Sequence, residues 1–74
     1  MLIEIFEARA SEETDAYIIQ TKTNNPEAVI RKISIFNGDA MKRHPDVLAA
    51  LREKGAEGLP IVKIDGVIAP FKGR

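Results

Sequence analysis

The chain contains no cysteine and one histidine, His44, among its 74 residues. The first absence excludes disulfides, thiolate zinc sites and thiol redox chemistry. The second excludes a multi-histidine metal site within one protomer. No apolar run approaches the roughly 20 residues that a membrane-spanning helix needs. The start, Met1-Leu2-Ile3-Glu4, lacks the basic region and long apolar stretch of a secretory signal. A cytoplasmic protein is therefore the expectation. An excess of either charge is also missing, since eleven Lys and Arg balance eleven Asp and Glu. Neutrality argues against strong non-specific attraction to nucleic acid. Residues 1–37 carry four basic and six acidic side chains, and residues 38–74 carry seven and five. A difference of two charges per half is too small to select a partner. Gly-rich phosphate loops, nucleophile elbows and the spacings of helix-turn-helix or zinc-finger motifs are absent as well. These absences leave no candidate catalytic, cofactor-binding or metal-ligating set.

What is present suits one small folded domain. Hydrophobic residues make up 45% and charged residues 30%, a globular balance rather than a disordered one. A domain this size buries only about 60% of its unfolded surface. With disulfides and metals excluded, idealised packing or oligomerisation has to supply the remaining stability.

Leu2-Ile3-Glu4-Ile5-Phe6 reads as a largely buried strand. Ser11, followed by Glu12, Glu13 and Asp15, reads as a helix start. The hydroxyl satisfies exposed N–H groups, and the carboxylates face the positive end of the helix dipole. This helix is expected to bury Ala16, Ile19 and Tyr17, and to stop at Asn24-Asn25-Pro26. Pro26 permits a short helical turn over 26–31. Ile33-Ser34-Ile35-Phe36 alternates like a strand. His44-Pro45-Asp46 opens a second helix, with Val47, Leu48 and Leu51 as its buried stripe and Gly55 as its stop. Ile61–Ile64 and Val67–Ala69 flank Asp65-Gly66, which favours a type I′ hairpin turn. The order strand, helix, strand, helix, hairpin gives an α/β domain over residues 1–74 with a four-stranded mixed sheet. Strands 2–7 and 61–64 are expected as parallel neighbours.

The charged clusters each have two readings. His44 could be a metal ligand or general base, or it could cap its helix from solvent. Lys42, Arg43, Lys72 and Arg74 could contact phosphate, as could Arg31 and Lys32, or they could form a solvated face. Glu7, Glu12, Glu13 and Asp15 could hold a hard cation, or they could serve the first helix dipole.

Gly55-Ala56-Glu57-Gly58-Leu59-Pro60, an apolar strand and Asp65-Gly66 together resemble the matching stretch of ArsD. That family comprises arsenical-resistance trans-acting repressors and arsenic metallochaperones. The similarity covers roughly residues 33–68 and touches Ile5-Phe6-Glu7. The resemblance implies a thioredoxin-like fold with a cis peptide bond before Pro60. It also implies a partner-binding loop made by Ala8, Arg9, Ala10 and Ser11 against Leu59 and Pro60. Regulation through DNA or a protein partner would follow from it. The family's cysteines would fall near Ser11, Glu12 and Tyr17, and none of these is a thiol. Soft trivalent arsenic needs thiolates, so metalloid carriage is not implied for this chain. The alternative is a redox-inactive thioredoxin- or glutaredoxin-like interaction module. The final helix of such domains has no counterpart here, so an open sheet face carrying Ile3, Ile5, Ile61 and Ile68 is expected to drive a homodimer.

Overall fold

The computed structural model describes residues 1–9, 11–55 and 59–69. Its elements are β1 (Leu2–Glu7), α1 (Glu12–Asn24), β2 (Val29–Ser34), α2 (Gly38–Lys42), α3 (Pro45–Lys54), β3 (Ile61–Ile64) and β4 (Val67–Ala69). They build a four-stranded sheet in the order β2-β1-β3-β4. β1 is central, and its four middle residues are all buried. β2 runs parallel to it, with Ile3 opposite Ile30 and Phe6 opposite Ile33. β3 runs antiparallel to β1, with Ile3 opposite Ile64 and Phe6 opposite Ile61. This corrects the parallel pairing expected from sequence. β4 returns antiparallel through the Asp65-Gly66 turn, where both residues have positive φ (50° and 86°). The architecture is that of a small thioredoxin-like α/β fold.

Helices cover both faces of the sheet. On one face Ile3, Ile5, Ala28 and Val62 pack with Tyr17 and Ile18 of α1. On the other, Phe6 and Ile61 pack with Met41 of α2 and with Val47, Leu48 and Leu51 of α3. Of the four isoleucines expected on an open face, Ile3, Ile5 and Ile61 are buried within one chain, and Ile68 is 38% exposed.

Three local readings also change. α1 packs half-buried Tyr17 and Ile18 on the sheet, while Ile19 is 68% exposed and Ala16 faces solvent. β2 begins at Val29, so residues 29–31 are strand and not helix, and Ile35 and Phe36 lie beyond its end. α2 is an extra helical turn capped by the Asn37 side chain, which accepts from Ala40 N–H at 3.2 Å. Residues 70–74, and with them Lys72 and Arg74, lie outside the described part.

Candidate functional site

The antiparallel register of β1 and β3 places the end of β1 beside the start of β3. Ala8, Arg9 and Ser11 therefore gather at the same sheet end as Leu59 and Pro60. Ala10 lies outside the described residues. The Leu59–Pro60 bond is cis, as the resemblance implied. Ala8 and Arg9 are exposed, and Leu59 and Pro60 are half-buried.

Ser11 has little chemical freedom at this end. Its Oγ accepts from Thr14 N–H at 3.1 Å and donates to Thr14 Oγ1 at 2.9 Å. Both contacts hold it as the cap of α1, and Thr14 is fully buried beneath it. Glu12, Glu13 and Asp15 occupy the first turn, where the dipole reading put them. Glu7 does not join them. It ends β1 on the α1 face, 4.0 Å from Lys32 Nζ, and its Oε2 is buried with no hydrogen-bond partner among the described residues. Lys32 also donates to Asp15 at 3.0 Å. That hydrogen bond, with the nearby carboxylates, raises the lysine above its ordinary range against the opposing effect of desolvation.

The densest polar constellation lies on the opposite face, beneath the start of α3. Glu4 and Lys63 are cross-strand neighbours on β1 and β3. Lys63 Nζ reaches both carboxylate oxygens of Asp46 at 3.2 Å and His44 Nδ1 at 3.1 Å. An ammonium has only donors, so Nδ1 accepts and the ring hydrogen sits on Nε2. Nε2 faces Glu4 Oε2 at 3.5 Å. The side chains of Lys63, His44 and Glu4 are 9%, 15% and 11% exposed. The His44 ring also meets Phe6 edge-on, with centroids 4.8 Å apart. Partial burial pushes the Asp46 carboxyl up, but the hydrogen bonds from Lys63 and Val47 N–H outweigh it. Asp46 consequently titrates below the ordinary carboxylate range.

This network corrects the reading of His44 as a solvent-facing cap. Its side chain makes no capping bond and turns inward onto the sheet. Sequence reasoning singled out neither Glu4 nor Lys63. The available signal was a charge inside each of two otherwise apolar strands, at positions that a register would bring opposite one another. Among the described residues, no group of three His, Cys, Asp or Glu is arranged to hold a metal ion. No described helix is long and apolar enough to cross a membrane. Lys42 and Arg43 stand exposed at the end of α2, away from the other named site residues in sequence.

No family model matches the chain, and neither the curated proteins nor the solved structures give a match.

Proposed function

We propose that the chain is a non-enzymatic binding module: a redox-inactive thioredoxin-like domain that docks a partner through Ala8, Arg9, Ser11, Leu59 and Pro60. The observation that carries this reading is the state of Ser11. The one hydroxyl in the loop is committed to capping α1, so the loop offers contact surface and no free nucleophile. The whole chain has no thiol to substitute for it. Such a module neither reduces insulin disulfides nor binds arsenite at micromolar levels. Insulin-reduction turnover, or a one-to-one calorimetric isotherm with arsenite, would refute it. On the binding side, a photo-crosslinking residue replacing Arg9 should give a discrete adduct in cells, whereas one replacing Thr23 should not. Equal labelling from both positions would remove the loop from the proposal.

The adjacent cations Lys42 and Arg43, exposed at the end of α2, favour a second reading on the pattern of ArsD, as a regulator that contacts DNA. A mobility shift on duplex DNA that weakens when both are replaced by Gln would support it. An unchanged shift in that variant would oppose it. The homodimer expected from sequence has less support, because Ile3, Ile5 and Ile61 of its four interface isoleucines are buried inside one chain and Ile68 alone is exposed.

A further inference from the structure

One helix cannot cover a four-stranded face. Strands about 4.8 Å apart make a surface roughly 15–19 Å wide, and a helix with its side chains is about 10 Å across. α1 leans towards the β2 side, where Asp15 bonds Lys32 and Ile30 joins the core. Along its other flank runs a groove of about 660 Å³. Ile3, Ile64 and Tyr17 form its floor, Gln20 and Asn24 form one wall, and Glu13 stands at one end. Val67 extends the floor. It pairs with Ile64 on the same sheet face and is 68% exposed. Glu13 to Asn24 spans eleven residues, about 16 Å of helical rise, which sets the length of the groove. Among the described residues Glu13 is the one charged side chain that lines it.

We propose that this groove docks an amphipathic helix of another protein, about three turns long. Its apolar stripe would rest on Met1, Ile64 and Val67, and a Lys or Arg near one end would meet Glu13. The wall is built from α1 side chains and not from an open strand edge, so it suits a helix with polar flanks rather than an added strand. A second copy is a poor occupant. α1 exposes one large apolar side chain, Ile19, and the apolar side of α3 is already packed on Phe6 and Ile61. The groove is separate from the loop surface, so this inference goes beyond the proposed function and stands without it.

The test uses a built-in reporter. Tyr17 is the sole tyrosine and the chain has no tryptophan, so intrinsic emission reads the groove floor. The probe is a 12-residue end-capped helical peptide of Leu, Ala and Gln with one Lys in its last turn. Saturable change in Tyr17 emission is expected, with amide shifts confined to residues 13–25 and 64–67. Val67→Glu should weaken binding tenfold or more. Glu13→Gln should weaken it about threefold, the scale of one exposed ion pair. Both positions are exposed, so circular dichroism should show both variants folded. Phe36→Ser, at an exposed residue beyond β2, should leave binding unchanged. A flat titration, shifts mapping to the α3 face, or full affinity in Val67→Glu would overturn the proposal. Tyr17 emission that varies with protein concentration in the absence of peptide would also overturn it, by assigning the groove to a second copy.

Discussion

Lys63 is the residue on which the α3 face turns. It sits in a strand between Val62 and Ile64, yet it carries a charge and is nearly buried. Burying an ammonium is costly unless partners replace its water, and Asp46 and His44 do so. Removing it leaves His44 Nδ1 without its donor and Asp46 without its cation. Lys63→Met should therefore cost about 1–3 kcal/mol in urea unfolding. Lys63 and Glu4 meet through the two ring nitrogens of His44, so Glu4→Gln in that background should cost less than it does in the native chain. An additive double variant would mean that the network is a set of independent contacts. Asp46 supplies the pH dependence. Its folded titration lies below its ordinary value of 3.8. A depressed carboxyl contributes stability that is fully present above the unfolded value and is lost as pH falls through the folded one. Asp46 is well exposed, so screening limits its share to roughly 0.5 kcal/mol. Asp46→Asn should accordingly flatten the stability curve below about pH 4 and leave its shape above pH 5 unchanged. Curves that stay parallel through the acid limb would contradict this.

At the scale of elements, local chemistry was the most legible part of the chain. The Ser11 cap, Pro45 with Asp46, and Asp65-Gly66 each fix a boundary through a backbone requirement that acts within a few residues, and the structure places boundaries at all three. Gly55 is the sharpest case. It has φ 62° and ψ −158°, and open space surrounds the position of a Cβ. Gly55→Ala should thus cost about 1–3 kcal/mol through backbone strain alone, with no steric clash to relax. A neutral result would show that the α3 end can rearrange. The misread elements have physical reasons too. β2 is an edge strand, so Arg31 and Lys32 can face water, and their charges disguised its first half. α2 has only five residues, too few to show helical periodicity. Missing it had a topological consequence. With one helix between β2 and β3, the chain crosses to the far end of the sheet and β3 enters parallel. With a helical pair, it returns to the end it left, and β3 enters antiparallel. The Glu4–His44–Lys63 network was illegible for the same reason, since only the antiparallel register sets Glu4 opposite Lys63.

For the whole molecule, the question is whether one copy is sufficient. A domain of 8.2 kDa without cysteine has little margin, and pairing is a common remedy. The burial pattern answers differently. Ile3, Ile5, Phe6, Val47 and Val62 are fully inaccessible in the isolated chain and are drawn from both faces of the sheet. Among the described residues the exposed large apolar side chains, Met1, Ile19, Val29, Phe36, Val67 and Ile68, are spread over the N-terminal residue, α1, both edge strands and a loop. Scattered positions of this kind do not form one self-complementary patch, which a two-fold interface requires. Light scattering at tens of micromolar should therefore give the mass of one chain. The melting temperature should not move over a hundredfold dilution, because no buried area depends on a second copy. A doubled mass would point to the β4 edge as the remaining route. Val67→Lys, which places a charge on that edge, would then restore the single-chain mass. A dimer that survives this substitution would have to be held by the exposed face of β2 around Val29, and the account of a self-sufficient core would fall with it.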